Sequence, residues 1–376
     1  MIIPDLRFLS ISAAVCVGRY VYAAHALTNL IMKIEIASQK VIDVLEVVEE
    51  RKDAITIFGD AKHINEKAYF FPLKGNGICI LDLERFSYTY IDLKNLCCEK
   101  YDYQGICNVS EDADTVWLMP RSSNVPFFKL DINSNSICFE MSLSLKLPNK
   151  ILFSKDAIQY SAGCFYALDG EQRILYKEMK DSNEVTTYQL PITEKLRGFL
   201  KVKNYYLFYS CEARRVYRWS EELPNEIKAF YCDGDESLED SFIRLINNGD
   251  DVIGLTVGDS KIYRLDYEEL QEYVISESQS LKRVQLLFWG DDLIPSNFCQ
   301  CELGGGKMLI LSMGLNKHIE LRRNGNLLVT RNIVIDNSLL HEEIQNYKDR
   351  RRKELIRDRL IFENPYINLN EFIQLL

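Results

Sequence analysis

Only four histidines stand in the 376 residues, so imidazole chemistry has few places to occur. His25, in the phrase AAHALTN, lies where one apolar run turns into the next. As a general base it would need a partner and an orienting group, and neither can be assigned from the sequence. No G-x-S-x-G elbow, P-loop or dinucleotide fingerprint accompanies it. GGGK at 304–307 lacks the spacing of a phosphate loop and leads into the apolar KMLIL, so it reads as a link between strands. There are eleven cysteines, but no C-x-x-C. Cys79 in GICIL and Cys164 in GCFYAL sit inside apolar runs and read as buried free thiols. The Cys97–Cys98 pair and the C-x-C of Cys299 and Cys301 are weak redox signals. The expectation is no metal, no cofactor and a reducing, cytoplasmic setting.

The elements that would position such groups repeat along the chain. FFPLKGNGICILDL (70–83) is an apolar run, a polar turn and a second apolar run ending in an acid. The second run returns as IMKIEI, FKLDI, LYKEM, VYRWS, IYRLD and HIELR, at a mean step of about 47 residues. Asn29, Asn76, Asn124 and Asn316 mark the turn before it, and Asn favours turns because it tolerates left-handed backbone. The run before the turn recurs as RYVYAA, KAYFFP, TVWLMP, CFYAL, YYLFY, DVIGL and KMLIL. These runs are aromatic and β-branched, which suits a strand. The acid of the phrase, at Glu35, Asp82, Asp131, Glu178 and Glu320, recurs too often to be a catalyst and reads as a feature of the repeat.

Four strands per unit and seven units is the arithmetic of an all-β, seven-bladed β-propeller. Six blades, with one unit broken up, competes on number, and a tandem of β-sandwiches is the structural alternative. The WD dipeptide, the double glycine of kelch repeats and the Asp-box are absent. Over roughly residues 8–336 the chain resembles the divergent propellers of bacterial proteins, and that resemblance implies binding of a ligand or protein without naming it. The expected organisation is a propeller over 1–336 and a helical extension over 337–376. In the extension, Leu340, Ile344, Tyr347, Leu355 and Phe362 form a helical stripe, and Pro365 ends it. Residues 1–9 could add a strand to the last blade.

On this frame the innermost strands fall near 12–16, 60–63, 106–110, 157–160, 199–202, 243–246 and 298–301. Their polar residues, Lys62, His63, Asn108, Gln159, Lys201, Arg244 and Gln300, would line a central channel and favour an anionic or hydrogen-bond-rich ligand. Lys74 and Arg121 join His25 on the turn-rich face, with Ser122, Asp169, Glu171, Arg214 and Asp259 nearby. The expected function is non-catalytic binding of a peptide, protein or glycan on that face. The alternative is a glycan lyase or hydrolase at the channel mouth. A second contact could run through 338–376. The net charge of −10 disfavours nucleic acid and anionic membrane as partners. The apolar stretch 8–18 is preceded by Asp5 and flows into the first repeat, so it is not expected to be a signal peptide. No run is long and apolar enough to predict a membrane helix.

Overall fold

A computed structural model describes residues 11–26, 28–38, 40–50, 56–97, 105–112, 114–140, 147, 151–180, 182, 184–210 and 215–231. It further describes 242–247, 252–256, 262–265, 270–273, 298–304, 307–312, 317–322 and 328–332. The expected closing strand at 1–9, the helical tail at 337–376, and Arg214, Asp259 and Asn316 lie outside the described residues.

The described strands form seven four-stranded antiparallel sheets, each in chain order. The first is β1 (Ile11–Val17), β2 (Tyr20–His25), β3 (Leu30–Glu35) and β4 (Lys40–Glu46). The second is β5 (Phe58–Ile64), β6 (Lys67–Pro72), β7 (Gly77–Asp82) and β8 (Ser87–Asp92), followed by one helical turn, α1 (Leu93–Cys97). The third is β9 (Ile106–Asp112), β10 (Thr115–Pro120), β11 (Phe127–Asp131) and β12 (Ser136–Glu140). The fourth, after a 3-10 turn at Lys155–Ala157, is β13 (Ile158–Ser161), β14 (Cys164–Asp169), β15 (Ile174–Met179) and β16 (Val185–Gln189). The fifth is β17 (Leu196–Val202), β18 (Tyr205–Ser210), β19 (Arg215–Trp219) and β20 (Lys228–Tyr231). The sixth is β21 (Phe242–Asn247), β22 (Val252–Thr256), β23 (Ile262–Leu265) and β24 (Leu270–Tyr273). The seventh is β25 (Phe298–Gly304), β26 (Lys307–Ser312), β27 (Lys317–Arg322) and β28 (Leu328–Asn332). The chain divides into two compact units. One unit holds the first two sheets and most of the seventh; the other holds the third to the sixth.

In the first five sheets the second strand carries the core. In β2, β6, β10, β14 and β18 five residues in succession are buried. Such a run needs neighbours on both faces of the sheet, which is why it reads as continuous apolar sequence instead of alternating. The fourth strands β4, β8 and β16 are mostly exposed or half-buried, as sheet edges. In the second unit Trp117, Phe165, Tyr166, Phe199, Tyr206 and Trp219 belong to one apolar cluster. The expected KAYFFP and TVWLMP strands coincide with β6 and β10, and all seven expected inner strands fall on β1, β5, β9, β13, β17, β21 and β25.

The recurring acid has a local use. Asp82 Oδ1 accepts from the backbone N–H of Glu84 at 3.0 Å and of Arg85 at 2.9 Å. Asp131 Oδ1 accepts from Ser134 N at 2.8 Å and from its hydroxyl at 2.8 Å. Both carboxylates therefore nucleate the turn into the fourth strand. Register corrects the series at one point. Glu35, Asp82 and Asp131 pair with Tyr20, Lys67 and Thr115, the first residue of the second strand. Glu178 pairs with Phe165, the second residue of its strand, and is buried. A one-residue offset puts a side chain on the other face of the sheet, so Glu178 does not share the turn-forming slot. Two residues before that slot a lysine faces the central aromatic of the second strand. Lys33 Nζ lies 5.7 Å from the Tyr22 ring, Lys129 Nζ 6.0 Å from Trp117 and Lys177 Nζ 6.0 Å from Tyr166. These are repeated cation–π pairs on the sheet surface.

Neighbouring sheets meet closely at glycine. A Cβ on Gly170, in the β14–β15 turn of the fourth sheet, would lie 1.9 Å from the carbonyl oxygen of Leu196, the first residue of the fifth. The Leu196 N–H donates to Gly170 O there at 3.1 Å. Gly170→Ala is expected to cost roughly 1–3 kcal/mol, because backbone and not a flexible side chain must move. Urea denaturation of the variant measures it, and an unchanged midpoint would show that the turn yields freely.

Candidate functional site

The polar residues of the inner strands are drawn towards the neighbouring sheets. Asn108 Nδ2 donates to Ile158 O at 2.6 Å, joining β9 to β13, and its Oδ1 accepts from Val109 N. Lys201 on β17 reaches back to the fourth sheet, where its Nζ donates to the Tyr166 hydroxyl at 2.6 Å. The Lys201 Nζ also lies 4.6 Å from the Tyr166 ring and 5.6 Å from Tyr206. Burial pushes the Lys201 amine below its ordinary pKa. Gln159 sits beside Tyr166 in the β13–β14 ladder, half-buried, with its Nε2 buried and without a hydrogen-bond partner among the described residues. Lys62 and His63 pair with Tyr69 and Ala68 in the second sheet, the lysine half-buried and the histidine exposed. Gln300 lies on β25, but its side chain is outside the described residues.

Two carboxylates staple neighbouring sheets in the second unit. Asp112 Oδ2 accepts from Tyr160 Oη at 2.7 Å and Lys180 Nζ at 3.1 Å. Those bonds hold the Asp112 pKa below the usual carboxylate range. Glu221 accepts from Lys177 Nζ at 2.6 Å, from Tyr188 Oη at 3.0 Å and from the Tyr206 hydroxyl. Burial alone would raise the Glu221 pKa, but these three donors outweigh it and hold it low. Each acid already has a lysine and a tyrosine as partners, so these centres join sheets and leave little capacity for a ligand.

The turn-bearing end of the first unit holds a buried polar group. His25 ends β2 at 3% exposure, and its Nδ1 shares a 2.9 Å hydrogen bond with Thr28 Oγ1. Burial lowers its pKa to about 4, so the ring is neutral at pH 7. Asn29 Nδ2 donates to Val47 O at 3.0 Å and to Glu46 Oε1 at 3.2 Å. Glu50, at 4% exposure, accepts through Oε1 from Asn76 N at 2.8 Å, Gly77 N at 3.2 Å and the Tyr90 hydroxyl. Lys74 is exposed beside this centre, its N–H donating to Thr56 O and Ile57 O at 3.2 Å. Asn29 and Asn76 thus share a structural role, since both tie the connection at 47–50 to the turns.

The strongest candidate for a ligand lies at the same end of the second unit, where three sheets meet around Asp156. This residue stands in the 3-10 turn before β13. Its Oδ2 accepts from Tyr209 Oη of β18 at 2.8 Å, and its Oδ1 lies 3.5 Å from Arg244 Nε of β21. Gly198 makes the approach possible: a Cβ there would meet Tyr209 Oη at 2.7 Å and Asp156 Cβ at 2.8 Å. Burial first, and Asp156 second, push the Tyr209 phenol well above its ordinary pKa, so it remains a donor. Arg197, next to Gly198 on β17, is half-buried, and its Nη1 is buried with no hydrogen-bond partner among the described residues. Ser154 Oγ donates to Arg197 O at 2.8 Å. The segment continues to the turn of Arg121, whose carbonyl accepts from Phe153 N at 2.7 Å. Burial pushes the Cys107 thiol up, against the lowering effect of the Arg121 and Lys155 charges.

Of the expected site residues, Arg244 is the one that the structure brings to Asp156. Asp156, Arg197 and Tyr209 were not legible as site residues, because Asp156 sits in a connection and Arg197 in a strand that reads as apolar. The one available signal was Gly198, since a glycine inside a strand marks a close backbone approach. Among the described residues, no group of three or more His, Cys, Asp or Glu could hold a metal, and no helix is long and apolar enough to cross a membrane.

Comparison with solved structures places the fold. Streptogramin B lyase matches over 83% of this chain and 93% of its own, with a TM-score of 0.55 at 12% identity. A catalytically inactive virginiamycin B lyase from Staphylococcus aureus, solved with quinupristin, matches over 73% and 83%, with a TM-score of 0.52 at 15% identity. A loop-replaced Hsv2 of Kluyveromyces lactis matches over 86% and 99%, with a TM-score of 0.53 at 8% identity. No protein-family model and no curated protein matches the chain. These likenesses are to β-propeller-type proteins, lyases among them, and at such identities they show the fold alone: the chain has a propeller-type, all-β architecture.

Proposed function

We propose that the chain is a non-catalytic binding propeller whose seven sheets act as blades, with its ligand on the turn-bearing end of the second unit. The observation that carries this reading is the hub at Asp156, where a buried arginine donor, Arg197 Nη1, has no acceptor among the described residues. Leaving a buried donor unmatched costs roughly 1–3 kcal/mol, and a bound ligand can recover it. The ligand class is a peptide, protein or glycan. Asp156 argues for binding over the alternative of glycan cleavage, because its two oxygens already face Tyr209 and Arg244. An acid–base pair for glycan cleavage would need a second carboxylate at roughly 5–9 Å. A reducing, cytoplasmic setting is part of the proposal, and the free cysteines Cys16, Cys79, Cys107, Cys138 and Cys164 support it.

Screening the purified chain against peptide and glycan arrays tests the reading. A ligand retained by the wild type should bind Arg244→Ala roughly tenfold more weakly, a loss of about 1.4 kcal/mol. Circular dichroism melting checks that the variant is folded. Equal binding by the folded variant would place the ligand elsewhere.

A further inference from the structure

Register sets one residue of several first strands apart. In the first sheet Ile11 pairs with His25 and Ala13 with Ala24, so Ser12 is an extra, bulged residue. The same pattern leaves Gly59 extra in the second sheet, Cys107 in the third, Arg197 in the fifth and Ile243 in the sixth. Each is the second residue of its strand, at the turn-bearing end. The repeat thus supplies its own control, one backbone position carrying different side chains. Ser12 Oγ donates to Ala24 O at 3.5 Å, and Cys107 Sγ to Met119 O at 3.3 Å. Ala24 pairs with the residue after Ser12, and Met119 with the residue after Cys107. Both short side chains therefore fold back onto the same carbonyl of the second strand. Gly59 has no side chain, and a Cβ there would meet Leu73 Cβ at 2.7 Å. Among these bulged residues Arg197 alone is charged. Its Nη1 is buried, with no hydrogen-bond partner among the described residues. Bulges re-aim side chains beside binding and active sites. A residue that departs from the rule of its own repeat, and leaves a buried donor unmatched, marks a functional position.

We propose that Arg197 determines the ligand, and that its Nη1 donates to a backbone carbonyl oxygen of a peptide. This rests on the binding reading above and selects the peptide among its ligand classes. Arg197 belongs to the hub by geometry: its carbonyl accepts from Ser154 Oγ at 2.8 Å, and a Cβ on the next residue, Gly198, would touch Tyr209 Oη and Asp156 Cβ. A guanidinium only donates, so its partner must accept. Glu194, three residues earlier in the same connection, has the opposite need. Its side chain is 12% exposed, Oε1 engages Arg215, and Oε2 is a buried acceptor without a partner among the described residues. The connection into the fifth sheet thus holds one unmatched donor and one unmatched acceptor. A carboxylate or phosphate brings acceptors alone, and a sugar hydroxyl has a hydrogen that rotates. Peptide groups carry a C=O and an N–H at fixed places along a chain, so they meet both needs. In the free protein the unmatched groups lower stability, the mark of a residue whose use lies in binding.

The decisive variant of the full chain is Arg197→Ser, which gives the fifth sheet the residue that the first carries at its bulge. Its urea midpoint is expected to equal or exceed that of the wild type, because serine can return to Tyr209 O as Ser12 does to Ala24 O. N-acetylated, C-amidated array peptides, which carry no terminal charge, should bind it roughly tenfold more weakly than the wild type. Arg197→Gln, which keeps an N–H donor, should lose less. In a peptide that the wild type retains, each amide in turn is then replaced by a trans-alkene. One replacement should weaken binding to the wild type roughly tenfold, and to Arg197→Ser by less than about twofold. A lower urea midpoint for Arg197→Ser would make Arg197 a structural residue and overturn the inference. Equal peptide binding by Arg197→Ser, or the same alkene losses in both proteins, would overturn it too. Ligands that Arg244→Ala loses and Arg197→Ser keeps, or an array that retains glycans and no peptide, sink this inference while the binding reading stands. An array that retains nothing ends both.

Discussion

Lowering the pH from 7 to 4 is expected to remove about 3 kcal/mol of stability through His25 alone. The ring is 3% exposed and its pKa is lowered to about 4 by burial, against 6.5 for the free side chain. A pKa difference of one unit corresponds to about 1.4 kcal/mol, and the gap spans roughly two and a half units. The unfolded chain takes up a proton as the pH falls through 6.5, whereas the folded chain resists until about 4. Over that window the unfolded state binds more protons, so acid favours unfolding. The contribution is complete above 6.5, is lost progressively down to 4, and does not change further below it. Carboxylates in general also take up protons as the pH falls, so the measurement must be a difference. Urea midpoints of the wild type and of His25→Gln, taken at pH 7, 5.5 and 4, supply it. Glutamine can keep the bond to Thr28 but cannot titrate. The wild type should lose more stability than the variant by about 3 kcal/mol over the range. Parallel curves would mean that His25 accepts a proton in place, and the buried neutral ring would be refuted.

The same residue shows what a sequence can and cannot reveal. His25 was legible as a turn position and as a candidate on the turn-rich face, and the structure buries it with a bond to Thr28. Strand positions were readable because the second strand of the first five sheets is buried on both faces and so writes an unbroken apolar run, as in KAYFFP and TVWLMP. Side-chain direction was harder. Lys201 and Asn108 read as channel-lining from their place on the first strands of their sheets, and the pattern gave no sign that each also hydrogen-bonds a neighbouring sheet. A one-residue slip separates Glu178 from Glu35, Asp82 and Asp131, and no repeat phrase could have marked it. The hub at Asp156 was least legible. Its members come from a 3-10 turn and two strands of different sheets, and nothing in a one-dimensional pattern brings Asp156, Tyr209 and Arg244 together.

Glu50 was likewise invisible in the sequence, and its removal should be among the most costly single changes in the first unit. Glu50→Ala is expected to destabilise by roughly 3–5 kcal/mol. The carboxylate is 4% exposed and holds two backbone N–H groups, of Asn76 and Gly77, and the Tyr90 hydroxyl. Burial, with Glu49 and Glu50 adding to it, pushes the Cys79 thiol up. Alanine would leave three donors to find other acceptors. Gly77 is packed closely on the next strand, since a Cβ there would lie 2.1 Å from the Ile91 carbonyl oxygen. Asn76 and Tyr90 are half-buried, so water can reach part of the gap, which keeps the expected cost below the sum of three unsatisfied donors. Glu50→Gln separates the two components. It keeps one carbonyl acceptor but loses the charge, and should cost about 1–2 kcal/mol. Amide hydrogen exchange localises the effect: Asn76 and Gly77 should lose protection in Glu50→Ala and keep most of it in Glu50→Gln. If both variants were equally unstable, the charge and not the geometry would hold the turn. If neither lost protection at Asn76, the anchor would lie elsewhere in the connection between the first two sheets.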